Sequence, residues 1–143
     1  MTSEESAEYR LQEAEKYLAE AEQLLGFQQW RSCVSSVPLA VENAAKAILA
    51  CLGPVPRTHN TVNRLEALLF GFDWPEELAS EVKAALPIFA DYGLEKHILV
   101  TYGDEENFRT PWALFGEEEA TSAVEDARQC VALAKAVYNH FFK

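Results

Sequence analysis

The sequence has few cysteines, and none is spaced for metal binding or redox chemistry. Its 143 residues include Cys33, Cys51 and Cys130, with no Cys-x-x-Cys motif and no histidine close in sequence to any of the three. An odd number of cysteines at wide spacing argues against a disulfide framework. We therefore interpret all three as reduced thiols buried on helices.

Long apolar runs are also missing. No apolar run reaches the roughly 20 residues of a membrane-spanning helix. The N-terminus, Met1-Thr2-Ser3-Glu4-Glu5, is acidic and lacks the apolar core of a signal peptide. The sequence therefore predicts a cytoplasmic protein with no membrane partner.

Basic residues are scarce as well. Lysine and arginine number 12 against 23 aspartates and glutamates, for a formal net charge of −11. Such a surface repels phosphate backbones, so we do not expect direct nucleic-acid binding. A basic protein partner fits this charge better. The chain has no Gly-rich phosphate loop and no Glu-x-x-His pair, so we expect neither a cofactor nor a metal.

What is present is helical periodicity. Apolar residues recur every three or four positions in five segments, and Gly and Pro fall mostly between them. The five predicted helices cover about residues 3–25, 28–53, 60–70, 73–92 and 117–141. Ser3 and Asp73 are candidate caps. Pro38 is expected to kink its helix, and Pro87 to bend or end its helix. The predicted fold class is all-α, a single-domain up-and-down bundle over residues 1–143.

Residues 93–116 form the one long connection. A structureless connection of this length is uncommon in a compact domain and is often functional. Its part 97–102 either extends the fourth helix or lies extended. Trp112 and Phe115 either plug the core or form an exposed patch for a partner.

The helix around residues 40–49 organises the chain. Its apolar stripe is flanked by a face of small side chains, which lets another helix pack closely. Glu42 and Lys46 are four residues apart, in the favourable order for a same-face ion pair. Because they lie beside the apolar stripe, we expect a partly buried polar patch there.

This order of features resembles the HEPN family of small helical domains. The stretch Ala40-Val41-Glu42-Asn43-Ala44-Ala45-Lys46-Ala47 is similar to the family's Ala-x-Glu-x-x-x-Lys-Ala helix. Thr58-His59 resembles the Thr-His that opens the third helix, and Tyr92 resembles the tyrosine at the end of the fourth. The resemblance covers most of the chain.

The resemblance implies an all-helical homodimer, often paired with a minimal nucleotidyltransferase in a toxin–antitoxin system. Active members are metal-independent ribonucleases with an Arg followed four to six residues later by a His. This chain departs from that motif, because Lys96 stands in place of the Arg and Thr101 in place of the His. A second alignment matches Thr101-Tyr102-Gly103-Asp104 to an Arg-Tyr-Pro-Asp motif of non-nuclease members, again without the Arg.

We therefore predict a non-catalytic or degenerate HEPN protein that forms a homodimer and binds a partner, with a nucleotide or phosphate as a further candidate ligand. The candidate binding residues are Glu42, Lys46, His59, Tyr92, Lys96, His97, Thr101, Tyr102 and Asp104.

Two alternatives stay open. One is a ribonuclease in which His97 acts as acid and base and Lys96 stabilises the phosphate charge. The other is a structural adaptor in which Glu42 and Lys46 form only an internal ion pair. For His59, a helix-capping role is preferred to ligand binding.

Overall fold

The computed structural model describes residues 1–55, 57, 61–71 and 73–143, and this part of the chain is helical without a β-strand. The elements are α1 (Ser3–Gly26), α2 (Trp30–Leu52), α3 (Val62–Gly71), α4 (Glu76–Asp91), α5 (Leu94–Tyr102), the single turn α6 (Pro111–Leu114) and α7 (Glu117–Phe142). The all-α bundle predicted from the periodicity is confirmed.

The three long helices α1, α2 and α7 form the core of the bundle, since each packs against the other two. Helix α2 is the central one: every residue from Ala40 to Ala50 is buried. Its alanines allow the close helix approach expected from small side chains. Around this core, α4 packs on α7, α3 packs on α4, and α5 packs on α2.

Helix α2 is also apolar enough for its composition to match a membrane span. Among the described residues, α2 is the one helix that is long and apolar enough to cross a membrane. No such segment was expected from the sequence. Its most apolar window is 83% buried inside the bundle, as is usual for the core helix of a folded domain.

Two predicted helix starts differ from the structure. Thr2, one residue before Ser3, is the N-cap of α1; its hydroxyl accepts from the Glu5 amide and the Glu5 carboxylate accepts from the Thr2 amide. Asp73 as the cap of the fourth helix is wrong, because α4 begins at Glu76 after Pro75. A residue before proline is disfavoured in helical conformation, and Trp74 lies outside α4.

The prolines inside helices do not end them. Helix α2 continues past Pro38 to Leu52, and α4 continues past Pro87 to Asp91. Pro38 is fully buried, so core packing stabilises α2 there despite the missing amide donor.

The long connection after α4 is largely ordered by short helices. Residues 94–102 form α5, separated from α4 by Tyr92 and Gly93, and 111–114 form α6. Trp112 and Phe115 were predicted either to fill the core or to be exposed for a partner, and they differ. Phe115 is buried in the core, whereas Trp112 is 71% exposed.

Candidate functional site

Glu42 lies at the centre of a buried polar cluster. Its Oε2 is 3.4 Å from Nζ of Lys46, one turn further along α2, and both residues are only 8% exposed. Its Oε1 is 4.0 Å from Nε2 of His97 on α5. One carboxylate therefore faces an ammonium group on its own helix and an imidazole on the neighbouring helix.

Asn43 extends the polar contacts from α2 to α1. Its amide nitrogen donates to the Leu39 carbonyl at 2.9 Å, and its amide oxygen accepts from Arg10 Nη1 at 3.3 Å. Buried side-chain amides need such partners, because an unpaired one costs about 1–3 kcal/mol. This contact fixes a polar side chain on the face of small residues.

Tyr92 and Lys96 occupy a second place, where α4 ends beside α7. The Tyr92 hydroxyl donates a 2.7 Å hydrogen bond to Asp126 Oδ2. Lys96 Nζ is 3.5 Å from Asp91 Oδ2 and 5.1 Å from the centre of the Tyr92 ring. Burial first, and the Asp126 carboxylate second, raise the pKa of Tyr92 far above its usual range, so its hydroxyl remains a donor.

A cavity of about 390 Å³ opens beside Tyr92. Its charged lining residues are Asp91, Lys96, Glu118, Glu119 and Asp126. Four carboxylates against one ammonium group make this cavity unfavourable for a phosphate ligand.

Thr101, Tyr102 and Asp104 lie in a third place, at the exposed end of α5. The Thr101 hydroxyl donates to the His97 carbonyl at 2.8 Å, and Tyr102 is 64% exposed. Asp104 accepts from the backbone and side-chain nitrogens of Asn107, at 3.3 and 2.8 Å. These contacts are local to the helix end and the turn after it.

The structure thus divides the predicted site residues. It brings Glu42, Lys46 and His97 together but directs Lys96 towards Tyr92. The physical reason is that consecutive residues on an α-helix point about 100° apart. His59, predicted as a cap or ligand, lies outside the described residues.

Two further residues, Asp126 and Arg31, make contacts that the sequence did not predict. Asp126 stands between Ala123 and Cys130 at helical spacing, so a carboxylate on the buried face of α7 was the available signal. Arg31 Nε donates to the Val100 carbonyl at 2.9 Å, and its guanidinium lies 5.5 Å from the Trp112 ring centre. No sequence signal links residues so far apart in the chain.

Across the described residues, no group of three or more His, Cys, Asp or Glu side chains is arranged to hold a metal ion. The Cys33 thiol donates to the Ala21 carbonyl, and the Cys51 thiol donates to the Ala47 carbonyl. Burial raises the pKa of the Cys33 thiol to about 11 and that of the Cys130 thiol to about 12. Neither thiol has the depressed pKa of a nucleophilic cysteine.

Comparison with known families identifies the fold. The model of the HEPN domain family matches residues 7–138, which is most of the chain. The chain belongs to the HEPN domain family. This confirms the resemblance drawn from the central helix.

A solved structure supports the same fold. The crystal structure of TT1696 from Thermus thermophilus superposes on this HEPN domain with a TM-score of 0.66 and 21% sequence identity. The alignment covers 92% of this chain and 97% of TT1696. No curated protein matches the chain significantly.

Proposed function

We propose that this HEPN domain is non-catalytic, forms a homodimer and binds a protein partner, with a minimal nucleotidyltransferase as the first candidate. The observation that carries the non-catalytic part is the position of Thr101. In the first of the two alignments with the family motif, Thr101 stands where active members have the histidine, and its hydroxyl donates to a backbone carbonyl of its own helix. A hydroxyl in that position cannot replace imidazole as an acid and base near neutral pH.

The directions of Lys96 and His97 support the same conclusion. The Lys96 ammonium group is next to Asp91, whereas the His97 imidazole faces Glu42. A ribonuclease that used both side chains would need them to contact the same phosphate. The negative charge of the transition state would then lie within hydrogen-bonding distance of each. The Glu42 carboxylate beside His97 would also repel that phosphate.

A ribonuclease assay tests this part directly. Purified protein incubated with single-stranded and structured RNA should give no more cleavage than the His97→Ala and Lys96→Ala variants. Cleavage by the wild-type protein that His97→Ala abolishes would establish the ribonuclease alternative instead. A Lys135→Ala variant, altered on α7 away from the motif, controls for contaminating nuclease in the preparation.

Exposed apolar residues on α5 support homodimer formation. Leu94, Ile98 and Tyr102 follow one another at four-residue spacing and are 57%, 47% and 64% exposed. Trp112 is exposed nearby and is linked to α5 through Arg31. Exposed apolar residues that share one helix face, unlike scattered ones, are typical of an interaction surface, and a specific interface buries about 800 Å² on each partner.

Light scattering of the purified protein tests the dimer. The expected mass is twice the 16.0 kDa of the chain. Ile98→Lys should shift the protein towards the monomer, because it places a charge inside an apolar interface. Tyr9→Lys, on α1 and equally exposed at 49%, is the matched control and should leave the mass unchanged. A monomeric wild-type protein at high concentration would refute this part.

The partner and ligand parts have separate tests. Purification of the tagged protein from its native host should recover a nucleotidyltransferase in stoichiometric amount, without RNA. Calorimetry with ATP and with inorganic phosphate tests the nucleotide or phosphate ligand. If the protein binds none of these and neither Glu42→Ala nor Lys46→Ala alters binding to any partner, the structural-adaptor alternative holds.

A further inference from the structure

The turn between α5 and α6 holds an aromatic side chain in solvent. Backbone hydrogen bonds join Asp104 and Arg109 in both directions, at 2.8 Å from the Asp104 amide and 2.9 Å from the Arg109 amide. The Asp104 carboxylate binds Asn107 inside this closed turn. Between these bonds, Phe108 is 94% exposed.

The backbone of Phe108 is unusual for such a residue. Its φ is +55°, in the left-handed region that bulky L-residues rarely adopt. Glycine or asparagine would meet this conformation at lower cost, and neither would expose an aromatic ring. An unfavourable conformation that presents an apolar ring to water is a feature of recognition sites rather than of stability.

The backbone before this turn is equally constrained. Gly103 has φ +74°, and a Cβ at this position would lie 2.5 Å from the Arg109 carbonyl oxygen. The chain therefore passes too close to itself for any side chain. The position of Phe108 is set before a partner arrives, which lowers the entropic cost of binding.

The charge around Phe108 is acidic. Glu105 and Glu106 are both exposed within the same turn, whereas the Arg109 guanidinium turns back to the Ala113 carbonyl at 3.3 Å. We propose that Phe108, with Glu105 and Glu106, forms a docking knob that inserts into an apolar pocket with a basic rim on a protein partner. This rests on the proposed function only in that the chain binds another protein.

The acidic charge around Phe108 disfavours two other binding partners, a second copy of this chain and a nucleic acid. In a symmetric contact through this turn, Glu105 and Glu106 of both copies would enter the same interface, so like charges would meet. An aromatic residue can stack on nucleic-acid bases, but two glutamates beside it would repel the phosphates. A partner with lysine or arginine around an apolar pocket satisfies both the ring and the carboxylates.

The experiment places a photo-reactive benzophenone amino acid at position 108 of the full chain in its native host. After irradiation, adducts are mapped by mass spectrometry to the residue that they modify. The partner found is then purified, and its affinity is measured for the wild type, Phe108→Ala and a Glu105→Gln/Glu106→Gln pair. Phe27→Ala is the matched control, because Phe27 is an exposed aromatic at the end of α1.

The expected adduct lies on an apolar residue of another protein, with lysine or arginine beside it. Phe108→Ala should weaken binding by about tenfold or more, as for a central aromatic contact. The paired glutamine variant should weaken it less and should reduce the dependence of affinity on salt. Phe27→Ala should change the affinity less than twofold.

Adducts to a second copy, adducts to RNA, or no adduct would overturn the proposal, as would unchanged affinity of Phe108→Ala. The outcomes separate this proposal from the function above. A mapped basic-rimmed partner other than a nucleotidyltransferase refutes only the partner named there. A nucleotidyltransferase that binds Phe108→Ala normally refutes only the knob.

Discussion

Glu42 and Lys46 form an ion pair of 3.4 Å on the most buried helix of the bundle, with each residue only 8% exposed. A buried ion pair adds little net stability by itself, because both charges lose their hydration. Removing one partner is costly, since the other charge is then buried without its counter-charge. The pair therefore has a large effect on stability when it is broken, whatever its role in function.

Glu42→Ala should lower the free energy of unfolding by about 3–5 kcal/mol, as for other broken buried pairs. Urea denaturation followed by circular dichroism measures this. Glu20→Ala, an exposed carboxylate on α1, should change stability by less than about 0.5 kcal/mol. The double variant Glu42→Leu/Lys46→Leu should be more stable than Glu42→Ala. If Glu42→Ala and Glu20→Ala change the free energy of unfolding equally, the Glu42–Lys46 pair is not buried in solution as it is in this structure.

Tyr92→Phe tests the hydrogen bond that joins α4 to α7. The substitution removes only the hydroxyl, which donates to Asp126 at 2.7 Å. A hydrogen bond to a charged group contributes about 1.5–3 kcal/mol, so we expect a loss in the lower part of this range for the partly exposed Asp126. Thermal denaturation at neutral pH gives the value. Tyr17→Phe on α1 is the control, and equal effects of the two variants would contradict a specific bond.

Alkaline pH should destabilise the protein through the same hydroxyl. The pKa of Tyr92 is raised in the folded state, chiefly by burial and next by Asp126. A group with a raised folded pKa contributes its full stability below its unfolded pKa of about 10 and loses it as the pH rises above that value. The free energy of unfolding should therefore fall above pH 10. Tyr92→Phe should show a shallower fall, and identical slopes for the two proteins would contradict this account.

The three thiols should be unreactive in the native protein. Burial raises the pKa from 9.0 to about 11 for Cys33 and to about 12 for Cys51 and Cys130. Reaction requires the thiolate, so a thiol reagent at pH 8 should label the native protein slowly and the urea-unfolded protein quickly at all three sites. Fast labelling of the buried Cys33 or Cys130 in the native state would show local opening of its helix.

Gly103→Ala should disrupt the turn after α5. A Cβ there would clash with the Arg109 carbonyl and with Pro111, and the φ of +74° is unfavourable for alanine. We expect a loss of about 2 kcal/mol or more, since strain at a special backbone position belongs with the larger single-residue effects. Gly93→Ala, where the nearest atom is at 3.6 Å, is the matched control. Stability of Gly103→Ala equal to that of the control would show that the turn adapts.

Much of the fold could be predicted because helix formation is mainly local. The three- and four-residue spacing of apolar positions in α1, α2 and α7 indicates both the helices and their buried faces. The secondary structure of residues 93–116 could not be predicted, because β-branched residues such as Ile98 and Val100 occur in both helices and strands. Packing of α5 on α2 decided in favour of helix.

The candidate site divides in the same way. The sequence by itself determined the Glu42–Lys46 pair, because four-residue spacing on a helix places two side chains on one face. It also indicated the HEPN family, which the family model confirms. These are properties of residue type and short spacing.

Only the tertiary structure decided which side chains meet across helices. It placed His97 near Glu42, Lys96 near Asp91, and Tyr92 on Asp126, 34 residues away in the chain. It also left Phe108 in solvent. Such contacts depend on the angle and rotation at which whole helices pack, which are set by all their buried side chains together and not by any one stretch of sequence.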